Sequence, residues 1–200
     1  PGDIAHLIRT VKPNIGVITH VARVHQAEGQ FKKLDEVFEE KKKLATCLAY
    51  GETAILNAAD PLIKILEGKL KAETLWFNSK EGVYAELVQH TVNGFSATIH
   101  LDSQKAHGEF GVAGTFHIDL LLPAILCGTL AGISLYECVK ALENFRLPPG
   151  RMSLIEGLGD ATLIDSTYNA SPETVAFALE LLRECPKKHK IAVLGNMNEL

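Results

Sequence analysis

The 200-residue chain has no excess of positive charge: 20 Lys and Arg stand against 24 Asp and Glu, a net charge of −4. That removes the electrostatic footprint expected of a nucleic-acid binder or of a protein held on an anionic membrane. No apolar run reaches the roughly 20 residues that a membrane-spanning helix needs, and no signal-peptide pattern is present. Membrane insertion is therefore not expected, and a cytoplasmic location is. The four cysteines form no Cys-x-x-Cys pair. Cys47, Cys127 and Cys138 sit in apolar, helix-like stretches and read as small core residues of a reducing compartment. Repeats and low-complexity segments are absent. So is an initial Met: the chain starts Pro1-Gly2-Asp3 and ends in "IAVLGNMNEL", where a strand-like run enters a turn. The expectation is a piece of something longer.

What remains is ordinary globular material, 46% hydrophobic and 22% charged, enough for one large domain or two modest ones. The pattern alternates α and β. "NIGVITHV" (14–21), "TAILN" (53–57) and "TLWFN" (74–78) are short β-branched or aromatic runs that read as buried parallel strands. Residues 34–48 carry Leu34, Val37, Phe38, Leu44 and Leu48 at helical spacing. Pro61 suits the first turn of a helix over 61–67. From 83 to 112 the texture changes to three alternating segments separated by Asn93-Gly94 and Asp102-Ser103, which predicts an antiparallel meander. A long apolar helix (116–133) follows, with Pro123 as a possible kink. Ser134 then caps a second helix. "RLPPGR" (146–151) is the best linker. Beyond it lie predicted strands at 152–157 and 161–166, a helix at 171–185 and a strand at 190–195.

Several places carry chemistry. His20 and His25 follow the first strand, at the carboxyl end where open α/β sheets bind ligands; a loop histidine without a role is the plainer reading. The run "EEKKKL" (39–44) reads first as a solvated helix face. The turn "NAAD", with Asn57, sits at another strand end, although Asn and Asp are common turn formers. Arg151 follows Pro-Pro-Gly at the linker, where a guanidinium can clamp a phosphate. In "LIDSTYNASPE" (163–173), Asp165 can accept from ribose hydroxyls and Asn169 can donate to phosphate or a ring nitrogen. Ser171-Pro172-Glu173 then opens a helix whose N-terminus favours anions.

"GRMSLIEGLGDATLIDSTYNASPETVAFALELL" resembles the start of the C-terminal domain of the Mur ligases. The similarity is greatest to the branch that adds D-alanyl-D-alanine to UDP-N-acetylmuramoyl-tripeptide. "AVLGNMNEL", "PGDIAHLIRTVKPNIGVITHV" and "AILNAADP" resemble further segments of the same family. The resemblance implies an α/β fold: a partial parallel-sheet, ATPase-type central domain with an antiparallel meander (1–148), then the first part of a Rossmann-like C-terminal domain (149–200). It implies an ATP-dependent amide ligase of peptidoglycan precursor synthesis, monomeric at full length, that forms an acyl phosphate with ATP and Mg2+. It places His25 on a magnesium-binding histidine and Lys41 on a carbamylated lysine. Lys42 and Lys43 leave that register open by one. A lysine kept neutral by its surroundings can react with carbon dioxide and so present the oxygen ligand magnesium prefers. Arg151, Asp165, Tyr168 and Asn169, with Asn57, fall on nucleotide-contacting positions.

The chain also departs from the family. The Gly-x-x-Gly-Lys-Thr phosphate loop is nowhere in it, so the chain alone is expected to turn over no ATP. Phe116 and His117 replace a His-Asn pair, Arg23 a proline, Ala59 one of two paired aspartates, and Asn196 another aspartate. A non-catalytic relative, or a ligase for another amine, remains as the alternative. The Tyr168-Asn169 pair speaks against a diaminopimelate-adding enzyme, where Tyr-Ala-His is usual.

Overall fold

The computed structural model describes residues 2–22, 31 and 33–197. Eight strands and six helices follow one another among them. In chain order they are α1 (Asp3–Val11), β1 (Ile15–Ile18), α2 (Leu34–Thr46), β2 (Thr53–Asn57), α3 (Pro61–Lys64), β3 (Glu73–Phe77) and β4 (Val83–Thr91). Then come β5 (Gly94–Leu101), β6 (Gln104–Phe110), α4 (Ile118–Leu130), α5 (Leu135–Glu143), β7 (Ser153–Glu156), β8 (Thr162–Asp165) and α6 (Pro172–Glu184).

Strands β1 to β6 form one sheet in sequence order. β1, β2 and β3 are parallel, with Ile15 opposite Thr53 and Thr53 opposite Glu73. β4 joins β3 in parallel through the single pair Phe77–Val83. β4, β5 and β6 then run antiparallel as the expected meander. Every residue of β2 is buried, because both faces of the parallel half are covered. Ile55 and Phe77 point to one core with α4 and α5, while Ala54, Leu56 and Trp76 point to the other with α2 and α3. The period of two along a strand sends alternate residues to opposite faces, and each such large apolar side chain contributes about 1.5–3 kcal/mol. Gly16 lets α2 lie close on β1: a Cβ there would meet Leu44 and Leu48 at 3.2 Å. In the meander only alternate residues, such as Phe95, Ala97 and Ile99, face the core.

The two strands beyond the linker, β7 and β8, pair antiparallel as a separate sheet. α6 starts at a capping box on Ser171 with Pro172 in its first turn, the arrangement its sequence called for. Ser134 caps α5 in the same way.

Five features differ from the sequence reading. α1 was not expected. It has no side-chain cap of its own; the Glu40 carboxylate of α2 receives the Gly2 and Ile4 amides at 3.0 and 3.1 Å. The helix after Pro61 stops at Lys64. The long apolar helix opens with a 3-10 turn, Thr115–His117, and becomes α-helical only from Ile118, then runs through Pro123. No strand forms over 190–195. Ile191 and Val193 are exposed there, since a strand needs a neighbour to take its hydrogen bonds. Cys47 is exposed rather than core, because it falls on the C-cap of α2. Among the described residues no helix is long and apolar enough to cross a membrane.

Candidate functional site

The carboxyl ends of β1, β2 and β3 converge on a polar network. Asn57, the last residue of β2, is buried at 3% exposure. Its Nδ2 donates to the Thr19 carbonyl beyond β1, and its Oδ1 accepts from the Ala59 amide. The same Oδ1 accepts from Asn78 Nδ2, just past β3, at 3.0 Å. Asn78 Nδ2 also reaches Asp119 in the first turn of α4, at 2.7 Å. One amide network thus fixes three strand ends and a helix start.

Asp60 is the second anchor. Its Oδ1 caps α3 by accepting from the Leu62 and Ile63 amides. Its Oδ2 accepts from the Val21 amide at 2.8 Å and lies 3.0 Å from His20 Nδ1. The His20 carbonyl in turn accepts from Lys41 Nζ at 2.7 Å. The neighbouring lysines behave differently. Lys42 pairs with Glu39 and Lys43 with Glu40, each at 2.6 Å and one turn apart on the helix. These are the solvated-face pairs expected of "EEKKKL"; Lys41 alone of the three turns to the end of β1. Burial pushes the Lys41 ammonium below its ordinary pKa, against the opposing pull of the Asp60 carboxylate. A half-buried amine whose charged form is disfavoured fits the chemistry of a lysine that adds carbon dioxide and becomes an oxygen ligand. His25 lies outside the described residues. Among the described residues, no group of three or more His, Cys, Asp and Glu could hold a metal ion.

The second group is Arg151, Asp165, Tyr168 and Asn169. Asp165 ends β8 and organises the loop that follows. Its Oδ1 accepts from the Thr167 hydroxyl at 2.7 Å and the Thr167 amide at 3.1 Å, and its Oδ2 accepts from the Gly150 amide at 3.0 Å. The Thr167 hydroxyl, the Thr167 amide and then the Gly150 amide hold the Asp165 carboxyl below the usual carboxylate range. The Tyr168 amide returns a bond to the Gly150 carbonyl. Gly150 has φ +77, and a Cβ on it would come within 2.9 Å of Tyr168 Cβ. Only glycine suits both demands. The Arg151 guanidinium lies 4.0 Å above the Tyr168 ring, a cation–π pair. Asn169 is exposed, and its Oδ1 accepts from the adjacent Ala170 amide.

The fold therefore brings Lys41 and Asn57 to one sheet edge and gathers Arg151, Asp165, Tyr168 and Asn169 in one loop cluster. Among the described residues, no hydrogen bond, ion pair or ring contact joins the two groups. A ring stack does cross between the two parts of the chain: Phe116, before α4, lies 4.6 Å from Phe177 of α6. Asp60, Asn78 and Asp119 escaped the sequence reading as organising residues. Their signal was position alone, at strand carboxyl ends and a helix start.

The Mur ligase middle domain matches residues 2–128. The UDP-N-acetylmuramoyl-tripeptide–D-alanyl-D-alanine ligase of Rickettsia prowazekii is 25% identical over all of this chain and 45% of its own length. That of Synechocystis is 29% identical, over all of this chain and 42% of its own length. Among solved structures, MurF from Acinetobacter baumannii matches 90% of this chain and 40% of its own, with TM-score 0.81 and 23% identity. MurF ligase from Thermotoga maritima, solved in complex with ADP, matches 94% of this chain and 43% of its own, with TM-score 0.80 and 24% identity. The chain thus spans less than half the length of these relatives. With a matched domain over most of its length and the α/β fold of the solved structures, the chain belongs to the Mur ligase family.

Proposed function

We propose that this chain is part of an ATP-dependent amide ligase that adds D-alanyl-D-alanine to UDP-N-acetylmuramoyl-tripeptide in cytoplasmic peptidoglycan precursor synthesis. Residues 1–148 are its central domain and residues 149–200 the first part of its C-terminal domain. The separation of β7–β8 from the six-stranded sheet supports that division. In such a ligase the substrate carboxylate takes the terminal phosphoryl group of ATP. The amine of D-alanyl-D-alanine then attacks the acyl phosphate, and phosphate leaves as the amide bond forms.

The observation that carries this reading is the Lys41 amine, half-buried at the carboxyl end of β1 while its neighbours are consumed in ion pairs. As a neutral amine it adds carbon dioxide, forming an N–C bond and releasing a proton. The resulting carbamate, with His25, is the set that would hold magnesium. When bound, magnesium supplies neutralisation of the charge that develops on the phosphates. Arg151, Asp165, Tyr168 and Asn169 form the nucleotide-facing wall contributed by the C-terminal part. The solved ADP complex of the Thermotoga maritima relative supports a nucleotide site in this fold. Asn57 holds the opposite wall through its bonds to Thr19, Ala59 and Asn78. Closure of the two parts would exclude water once substrates are bound.

The test is phosphate release by the full-length protein. Release should require ATP, UDP-N-acetylmuramoyl-tripeptide and D-alanyl-D-alanine together. Release with diaminopimelate or glutamate instead would assign another amine, and no release with any amine would make the protein a binding relative without catalysis.

A further inference from the structure

We infer that Asp60 is the positioning residue of Lys41. The inference rests on the proposed role of Lys41 for its functional meaning, but the geometry stands on its own. The two oxygens of Asp60 do different work. Oδ1 caps α3 through Leu62 and Ile63. Oδ2 takes the Val21 amide and faces His20 Nδ1, so it clamps the main chain where it leaves β1. The only carbonyl between those two clamped groups is that of His20, and it is the acceptor for Lys41 Nζ. Asp60 therefore sets the place of the atom that sets the place of the amine. Its side chain is only 4% exposed, and a carboxylate so enclosed is stable because three amides and an imidazole face it. No other side chain among the described residues links β1, α3 and Lys41 in this way.

The arrangement has a consequence that a plain helix cap lacks. In Asp60→Asn the side-chain oxygen can still cap α3, but the amide nitrogen then faces the Val21 amide, a donor against a donor. The clamp on residues 20 and 21 is lost and the cap survives. If the amide turns the other way, the cap is lost and the clamp survives. The two roles are thus separable, and each has a lysine that reports it: Lys41 reports the clamp, and Lys64 on α3 reports the cap.

The experiment is competitive acylation of lysine amines in the 200-residue chain, read residue by residue by peptide mass spectrometry, on wild type, Asp60→Asn and His20→Ala. In Asp60→Asn, Lys41 labelling should rise roughly tenfold, the factor set by losing one hydrogen bond to a charged group, with Lys64 and Lys43 unchanged. His20→Ala keeps the carbonyl and the Val21 clamp, so Lys41 labelling should change much less. Equal Lys41 labelling in wild type and Asp60→Asn, with Lys64 also unchanged, overturns the inference. A rise at Lys64 with none at Lys41 marks the amide turned to keep the clamp, and Asp60→Ala, which removes clamp and cap together, then decides: Lys41 labelling should rise there, and unchanged Lys41 labelling overturns the inference. A carbamate assay on the same samples in labelled bicarbonate separates this inference from the functional reading. If wild type carries no carbamate but Lys41 labelling still rises in Asp60→Asn, the positioning holds and the carbamate role falls. If wild type carries carbamate and Asp60→Asn carries as much, positioning by Asp60 falls and the ligase reading stays.

Discussion

The two residue groups use the same kinds of side chain in opposite ways. At the carboxyl ends of β1–β3, Asn57 and Asp60 are buried and spend their hydrogen-bonding capacity on the protein itself. In the loop after β8, Tyr168 is 69% exposed, and Asn169 and Arg151 are open to solvent. Their surroundings differ to match. Both faces of the parallel half are covered by helices. Beyond residue 150, Leu158, Ile155 and Leu163 are exposed, and among the described residues buried hydrophobics are few: Met152, Leu181 and Cys185. A packed sheet edge can hold one amine in a fixed, partly dry place, where burial alters its chemistry. A lightly packed loop cannot do that: Asp165 is spent on Thr167 and Gly150, while Arg151, Tyr168 and the Asn169 amide nitrogen lie open to solvent. In the proposed function, the first group serves reactivity and the second nucleotide contact.

The sharpest way to break this comparison is in turnover. In the full-length enzyme, Lys41→Ala should lower kcat by roughly ten-thousandfold or more, above about 5 kcal/mol, and added bicarbonate should not restore it. Near-normal turnover would move the role to Lys42 or Lys43, or end it. Stability comes next. Phe77→Ala, at a position with 0% exposure in the core under α4, should cost about 3–5 kcal/mol in denaturant unfolding. Leu163→Ala, 50% exposed on β8, should cost about 0.5 kcal/mol or less. Similar losses for both would mean that the C-terminal part is as tightly packed as the sheet.

Asn57→Ala strands the Ala59 amide and the Thr19 carbonyl, so it should cost about 1–3 kcal/mol of stability. Asp165→Ala should act on binding: KM for ATP should rise about tenfold with kcat largely kept. A collapse of kcat instead would place Asp165 with Lys41 rather than opposite it. The smallest effect concerns pH. The Lys43 ammonium, with the Ile4 and Gly2 amides, holds the Glu40 carboxyl below its ordinary value. A carboxyl depressed in the folded state stabilises above its unfolded pKa and loses that contribution as pH falls through the folded value. α1 should therefore fray first on acidification below about pH 4.5, by under about 1 kcal/mol. Amide exchange of α1 against that of β2 measures this.

The difference between the two groups also explains what could be read from sequence. β2 is legible as "TAILN" because burial on both faces leaves an unbroken apolar run. The meander is legible from Asn93-Gly94 and Asp102-Ser103, because hairpins write their turn chemistry locally. α6 is legible from Ser171-Pro172, a cap made within one turn. Some failures are local, such as the early stop of α3 at Lys64 and the 3-10 turn before α4; the others are long-range. α1 is capped by Glu40, 38 residues from Gly2. Residues 190–195 have the strand composition but pair with no strand among the described residues. Asp60 reads as a turn former because its partner Val21 is 39 residues away. Composition made "EEKKKL" a uniform charged face and the resemblance left the register open by one; the placement of β1 beside α2 sets Lys41 apart from Lys42 and Lys43.

The central claim is that one lysine in that run has different chemistry from its neighbours. Carbon NMR in isotope-labelled bicarbonate tests it most directly, on wild type beside Lys41→Ala, Lys42→Ala and Lys43→Ala. The account predicts a single carbamate resonance in wild type, kept in Lys42→Ala and Lys43→Ala and absent in Lys41→Ala. No resonance in wild type, or a loss that follows Lys42 or Lys43 instead, would contradict it.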